Sequence, residues 1–211
     1  MIHYFKNKKA IKDFKNKKYQ VGILSRPVPN ESKLFFSKLC SIPFSISGFV
    51  NERNTKKDIH ELIKNMLRQK IKFCSFYDKW LNDMSQICKI FCSFQEKDKI
   101  SFWLGSERGC KRFHVDMVPY RCLVTYSGQG TELLPDKAAD RNAFVDGKSN
   151  ENIIKNRSAI KYLNRWDVAI FRGGNNVILH RTPDSALNLS HKHISQPTRP
   201  GQISYAVFCL K

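Results

Sequence analysis

The chain has 211 residues, of which 41% are hydrophobic and 12% aromatic, and this composition predicts one globular domain with an appendage and excludes a disordered chain. The longest apolar stretch, at positions 41–50, is far shorter than the ~18 residues that a membrane-spanning helix needs. A transmembrane protein is therefore excluded.

The formal net charge is +19, from 37 basic and 18 acidic residues. Such an excess attracts nucleic acid or anionic lipid. However, roughly a third of it lies in the first 20 residues, and no helix-turn-helix, zinc-finger or aromatic-platform motif accompanies it. We therefore expect no specific nucleic-acid partner, while the substrate and the oligomeric state stay open.

The first segment, residues 1–20, is predicted to be a basic tail. Met1 to Lys18 contains seven Lys, one Asp and no apolar run, so it does not resemble a secretory signal peptide, and we expect a cytoplasmic protein. Phe5, Ile11 and Phe14 would share part of one side of a basic amphipathic helix. A run of this kind is more often a solvated, frayed end.

Residues 21–97 are predicted to be a helical region. Pro27 and Pro29 separate it from the tail, because proline fixes the backbone and lacks an amide donor. Apolar residues then recur at helical spacing in two stretches, which predicts two paired amphipathic helices. These residues are Ile59, Leu62, Ile63, Met66, Leu67 and Ile71, and then Phe76, Trp80, Leu81, Met84, Ile87, Cys88 and Phe91.

Residues 98–211 are predicted to be mostly β-structure. Ile100, Phe102 and Leu104 alternate, and strand-forming residues fill positions 121–126, 166–171, 177–180 and 203–210. The Gly-Gly-Asn-Asn sequence at 173–176 indicates a hairpin turn, since Gly and Asn tolerate positive φ. The polar stretch 135–156 is predicted to be a long loop.

The seven Cys residues include no Cys-x-x-Cys pair, and an intracellular chain keeps its cysteines as thiols. We therefore expect no disulfides. Cys88 and Cys92 are four residues apart on the second predicted helix and would suit a shared metal ion, but buried core thiols are the simpler interpretation.

His114 and Asp116 are the first candidate site residues. On a strand they project to the same side, roughly 7 Å apart, within reach of one ion. His180, at the end of a later apolar run, would complete the two-His, one-carboxylate facial triad of non-haem iron oxygenases if the sheet curls into a barrel. The alternative is a buried hydrogen-bonded pair beside an unrelated histidine.

The runs Cys110 to Asp116, Arg121 to Glu132 and His180 to Pro183 form a more specific pattern. Phe-His-x-Asp is followed by Arg, Thr-Tyr and Gly-x-Gly-Thr-Glu. Together they resemble the uncharacterised bacterial family called domain of unknown function eighteen twenty-six, over roughly Ile100 to Leu210. That family has no established activity.

A wider resemblance links the segment from Trp166 to Arg181 with the Gly-Asp-strand-turn-His segment of iron and 2-oxoglutarate oxygenases, with Trp166 in place of Gly. It implies an α+β chain whose C-terminal region, 98–211, is a double-stranded β-helix (jelly roll, cupin-like) behind an N-terminal helical layer. It also implies iron bound by His114, Asp116 and His180.

In the resembling enzymes a basic residue beyond the distal histidine binds the far carboxylate of 2-oxoglutarate. Here the candidates are Arg199, the nearer Lys192 and, on the same strand face as His114, Arg112. His191 and His193, a pair two residues apart, are either loop residues or auxiliary ligands for Zn²⁺ or Cu²⁺.

The predicted function is therefore an Fe(II)-dependent oxygenase, with or without 2-oxoglutarate as cosubstrate. Two alternatives stay open. One is a Zn(II)-binding or metal-homeostasis protein without redox chemistry, and the other is an inactive basic binding module.

Overall fold

The computed structural model describes residues 1–40, 43–65, 75–106, 110–187 and 206–210. In these residues the strands form a seven-stranded sheet, in the order β1-β2-β8-β5-β10-β4-β3, and a three-stranded sheet, in the order β7-β6-β9. The large sheet contains β1 (Ile2–Tyr4), β2 (Val21–Leu24), β3 (Ser45–Asn51), β4 (Lys99–Gly105), β5 (Tyr120–Ser127), β8 (Val168–Arg172) and β10 (Ala206–Leu210). The small sheet contains β6 (Glu132–Leu134), β7 (Lys161–Tyr162) and β9 (Leu179–Arg181).

The helices lie mostly before and between these strands. The α-helices are α1 (Ser32–Leu39), α2 (Thr55–Ile63), α3 (Ser75–Gln95), α4 (Arg141–Val145), α5 (Asn150–Ile153) and α6 (Asp184–Leu187), and the longest 3₁₀ helix is Lys8–Asn16. The two predicted amphipathic helices are confirmed as α2 and α3, although positions 66–74 of the first stretch lie outside the described residues.

Strand alternation gives the large sheet two different faces. On β5, Cys122, Val124 and Tyr126 are buried in the main core cluster, where they meet the apolar side of α3. Arg121 and Leu123 project to the opposite side. There Ala169 and Phe171 of β8 belong to a second apolar cluster with side chains of the small sheet. The large sheet therefore packs helices on one face and the small sheet on the other, which is a mixed α/β architecture.

The described strands do not close into a barrel, so the predicted barrel is wrong. The two sheets face each other but are separate hydrogen-bonded units. The predicted helical region, 21–97, also contributes strands, because β2 pairs with β8 and β3 pairs with β4. The three predicted segments share the main core cluster, which contains Phe5, Trp80 and Phe208.

The basic tail is not solvated, contrary to the prediction. Its strand β1 pairs with β2, and Ile11 and Phe14 are each 1% exposed on the 3₁₀ helix. The Arg172 guanidinium donates hydrogen bonds to the carbonyl oxygens of Phe14, Lys15 and Lys17. The apolar side chains of this segment are part of the core, while its lysines project outward. A lysine-rich segment can therefore be buried on one side, because long charged side chains reach water from the other.

Two further predictions are corrected in the C-terminal half. The turn at 173–176 joins β8 to β9, which belong to different sheets, so it is not a hairpin. The stretch 135–156 is not a loop, since it contains a 3₁₀ turn and the helices α4 and α5. Its short polar helices lack the long apolar repeat on which the sequence interpretation depended. In the part of the chain that the structure describes, no helix is both long and apolar enough to cross a bilayer.

Candidate metal centre

His114 and His180 are brought together by the backbone. They form an isolated antiparallel bridge in which each amide donates to the carbonyl oxygen of the other residue, at 3.0 Å in both directions. The two imidazole rings are consequently neighbours, with centroids 4.4 Å apart. The bridge extends the small sheet beyond β9. It brings together two side chains that are 66 positions apart in the sequence.

Asp116 completes the group from two residues further along. Its side chain is 2% exposed, and its Oδ2 lies 3.5 Å from Nε2 of His180. Its other oxygen, Oδ1, accepts a 2.8 Å contact from Nη1 of Arg121 on β5. One potential ligand atom from each of His114, Asp116 and His180 lies within 4.8 Å of the others.

Both imidazoles are held through Nδ1. In the tautomer with Nδ1 protonated, His114 donates to the Arg112 carbonyl at 3.1 Å and His180 to the Ile178 carbonyl at 3.4 Å. This tautomer leaves Nε2 of each ring with its lone pair. Anchoring of one ring nitrogen by a carbonyl is the usual second contact of a metal-binding histidine.

The two histidines have different electrostatics. Burial lowers the pKa of His180 to about 3, and repulsion from His114 and Arg121 acts in the same direction. His180 is therefore neutral at pH 7, the form that binds metal, and its contact with Asp116 is not an ion pair. Burial also opposes the charged form of His114, but hydrogen bonds to Cys110 and the Arg112 carbonyl, with the Asp116 charge, raise its pKa on balance.

The donor set fits a divalent first-row ion. Two imidazoles and one carboxylate suit Fe(II) or Zn(II), whereas Mg²⁺ and Ca²⁺ prefer oxygen donors. Within the described ranges this is the one group of three or more such side chains.

The group lies at the wall of a cavity of about 610 Å³ between the two sheets. Its lining includes His114, His180 and Arg121, and apolar side chains such as Leu123 and Phe171. Ligand pockets of proteins typically measure ~300–1,000 Å³ and combine apolar walls with a few polar groups. A small organic molecule would therefore fit beside the three candidate ligands.

The predicted carboxylate anchors are not all near this cavity. The Arg112 guanidinium donates to the carbonyl oxygens of Phe144 and Lys148, and Arg112 does not line the cavity. Arg112 was predicted to lie on the same side as His114 by strand alternation. Phe113 to Asp116 is not a regular strand, so that alternation does not apply here. Lys192, Arg199 and the His191–His193 pair lie outside the described residues.

The neighbours of His114 and the cysteines of α3 differ in their burial. Phe113, next to His114, is buried, whereas Met117 is 75% exposed. Cys88 and Cys92 are buried thiols on α3, which agrees with the core interpretation. Burial raises the pKa of Cys92 to about 11.

Arg121 and Cys110 are site residues that the sequence argument did not single out. The signal for Arg121 was present, because Cys122, Val124 and Tyr126 alternate as core residues and Arg121 must then point away from the helices. The Cys110 thiol hydrogen-bonds to His114 and lines the cavity. That hydrogen bond lowers the pKa of Cys110, although burial opposes the shift.

Trp166 has φ of 72°, in the left-handed region that glycine adopts most easily. Trp166 nevertheless packs its indole against Tyr126 at 4.8 Å, and this buried aromatic contact favours the tryptophan.

The fold and the site define a two-sheet α/β protein with a His-Asp-His group beside an internal cavity. The model of one family, described as protein of unknown function (DUF1826), matches residues 6–191. The chain belongs to this family, and the match extends the resemblance into the N-terminal half. No curated protein matches the chain.

Proposed function

We propose that the chain binds Fe(II) at His114, Asp116 and His180 and is a non-haem iron oxygenase. The observation that carries the proposal is the convergence of these three side chains within 4.8 Å beside a cavity of about 610 Å³. When bound, an iron ion supplies the one-electron and oxygen chemistry that no amino-acid side chain performs.

The order of the strands supports the wider likeness to double-stranded β-helix oxygenases. After β4 the chain passes back and forth between the sheets. His114 bridges to β9 of the small sheet, β5 lies in the large sheet, β6 and β7 in the small one, β8 in the large, β9 in the small and β10 in the large. Two facing sheets built by such alternation are expected for a jelly roll. His180 lies on β9 of the small sheet, His114 is bridged to it, and both line the cavity.

In this proposal each residue has a distinct task. His114 and His180 donate neutral imidazole nitrogens, which their carbonyl contacts orient. Asp116 offers the oxygen that faces His180, while Arg121 holds the other oxygen. The apolar side chains of the cavity wall, such as Leu123 and Phe171, would contact a bound substrate.

The use of 2-oxoglutarate is a further part of the proposal. Arg121 lines the cavity and is a fourth candidate for a carboxylate anchor, beside Arg199, Lys192 and Arg112. Arg112 is the weakest of these four, because its guanidinium is already bound to two carbonyl oxygens.

The decisive experiment is metal analysis of protein purified without oxygen. We expect about one iron per chain, and a large loss of iron in His114→Ala, Asp116→Ala and His180→Ala variants that keep wild-type circular dichroism. Adding 2-oxoglutarate to the anaerobic iron protein should give a weak visible charge-transfer band. Single variants with full metal content would refute the site, and iron-loaded protein without the band at millimolar 2-oxoglutarate would refute that cosubstrate.

A zinc protein without redox chemistry is the second candidate. The observation that favours it is Cys110, whose thiol hydrogen-bonds to His114 and lines the same cavity. A thiolate is a soft ligand of the kind that zinc accepts. If zinc is the native ion, Cys110→Ser should weaken zinc binding and the zinc protein should consume no oxygen. If iron is the native ion, the same change should leave iron content unchanged.

A further inference from the structure

Beyond the metal centre, the same cavity extends across the inner face of the large sheet to its β3 edge. Four side chains there line the cavity from two paired strands: Ser47 and Phe49 on β3, and Ser101 and Trp103 on β4. In the strand register Ser47 is opposite Trp103 and Phe49 is opposite Ser101. Trp103 and Phe49 are thus diagonal neighbours, whose backbones are typically ~7–8 Å apart, and the two serines occupy the other diagonal.

Trp103 is held in a defined orientation. Its Nε1 donates a 2.9 Å hydrogen bond to Oγ of Ser45 on the neighbouring strand. Its indole also lies over Gly105, where an added Cβ would collide with the ring. An indole held by a hydrogen bond at one end and by a glycine beneath it is a preorganised aromatic surface.

Phe49 forms the other side of this aromatic slot. The side chain is 59% exposed, and the described structure gives its ring a cation–π contact, with Lys99 Nζ at 4.4 Å from the centroid. Phe49 lines the cavity while much of its side chain is open to solvent, so its ring is accessible to a bound molecule. The slot is thus two aromatic rings around a floor of two small hydroxyl-bearing residues.

The register places the slot at a fixed distance from the metal centre. Trp103 is opposite Cys209 on β10, and Cys209 is in turn opposite Leu123 on β5. Two strand spacings therefore separate the slot from β5, about 10 Å in total. The cavity lining along this path includes Cys209 and Leu123, which suits an alkyl chain. Arg121, two residues from Leu123 on the same face, then contacts Asp116.

The metal end of the cavity favours an anion. The cavity lining includes no Asp or Glu among the described residues, and Arg181 is neutralised by Glu132 and Asp184. Arg121 and a divalent ion together outweigh the single charge of Asp116. A carboxylate at this end would reduce this positive excess.

We propose that the cavity binds an arylalkyl carboxylate, with its ring between Trp103 and Phe49 and its carboxylate at the metal centre. The inference rests on the proposed function for the identity of the reacting end of the ligand. The aromatic slot does not depend on that function, because it is inferred from Trp103 and Phe49 themselves. The substrate would be hydroxylated on the alkyl carbons nearest to His114, Asp116 and His180. One atom of O₂ would enter a C–H bond, and the two further electrons would come from the oxidative decarboxylation of 2-oxoglutarate to succinate and CO₂, which takes up the other oxygen atom.

The test measures binding of phenylalkanoates, from phenylacetate to phenyloctanoate, to the zinc-loaded full chain by calorimetry and by ligand-observed saturation-transfer NMR. Zinc prevents turnover, and unsubstituted hexanoate and octanoate are the matched probes without a ring. We expect affinity to rise with chain length until the alkyl part spans about 10 Å, and the ring protons to receive the strongest saturation.

Variants separate the slot from general hydrophobic binding. We expect Trp103→Ala, and Phe49→Ala at the exposed rim, each to lower the affinity for phenylhexanoate by about tenfold. Trp103→Phe should retain most of the wild-type affinity. Hexanoate should be unaffected by all three changes. Three results would each overturn the proposal. They are equal binding of phenylhexanoate and hexanoate, unchanged affinity in both alanine variants, and no binding to wild type because another part of the chain fills the slot.

Metal content is measured separately on each sample, so the two proposals fail independently. Protein that holds no metal but still binds phenylalkanoates through Trp103 would refute the proposed function and support the slot. Protein with a full metal site and no preference for a ring would leave the oxygenase proposal standing and overturn the slot.

Discussion

At the scale of single residues, Arg121 orients the carboxylate of Asp116. Its Nη1 lies 2.8 Å from Oδ1 of Asp116, and Oδ2 of the same carboxylate faces His180. The guanidinium thereby directs one carboxylate oxygen toward the proposed ion. Loss of such outer contacts typically lowers metal affinity ~10–100-fold. We expect Arg121→Met to weaken iron and zinc binding by that factor, measured by competition with a chromophoric chelator.

Arg112→Met is the matched control, since Arg112 lies two residues before His114 but binds the carbonyls of Phe144 and Lys148. It should leave metal affinity within about threefold of wild type, because the substitution keeps the Arg112 carbonyl that anchors His114 and removes only a guanidinium bound to the Phe144 and Lys148 carbonyls. Equal effects of the two substitutions would contradict a specific role of Arg121.

Asp136 gives a prediction of pH dependence. Burial alone would raise its pKa, but hydrogen bonds from Arg141 and Gln20 lower it on balance below the ordinary 3.8. A carboxylate with a lowered folded pKa stabilises the protein above the ordinary value, and this contribution is lost as pH falls through the folded pKa. Asp136→Asn should therefore destabilise the protein more at about pH 6 than at about pH 3, as measured by urea unfolding. A constant difference at both pH values would contradict this.

At the scale of elements, the N-terminal 3₁₀ helix is a structural part of the protein. Phe14 is 1% exposed and contacts Phe5 and Phe94, with ring centroids 5.8 and 6.3 Å away. Truncating a buried phenylalanine to alanine typically costs ~3–5 kcal/mol. We expect Phe14→Ala to lower the free energy of unfolding by about that amount, and deletion of residues 1–18 to unfold the protein or make it insoluble.

Lys9→Ala is the control for this element, because Lys9 belongs to the same helix and is exposed. Its free energy of unfolding should stay within about 0.5 kcal/mol of wild type. A stable, soluble deletion variant would show that the segment is dispensable, as its lysine content alone had suggested.

At the scale of the whole molecule, residues 98–211 are expected not to fold alone. Their strands β5 and β10 place Val124, Tyr126 and Phe208 in the core cluster with Trp80 and Phe91 of α3. Without the helix this face would be exposed to water, at a cost of about 25 cal/mol per Å². The isolated fragment should lack dispersed NMR signals, whereas the full chain should unfold in one transition by circular dichroism and by fluorescence. A folded fragment would support the predicted division at residue 98.

The sequence alone determined the elements with a regular hydrophobic period. The 3.6-residue repeat predicted the apolar side of α3, and the two-residue repeat predicted β4, because each period places apolar side chains on one side of its element. The strand-forming residues at 121–126 predicted β5. It also selected His114, Asp116 and His180, which the structure brings together. The family pattern was readable because its residues are contiguous in the chain.

Only the tertiary structure decided how these parts combine. Whether the Lys-rich N-terminus is solvated depends on a partner surface for Phe14, and the chain supplies that surface from α3, far away in sequence. Arg112 and Arg121 are chemically alike in the sequence, yet one binds backbone carbonyls and the other the carboxylate of Asp116. Local propensity describes a residue and its near neighbours, whereas these contacts depend on the pairing of distant strands, which places β9 beside His114 and Arg121 beside Asp116.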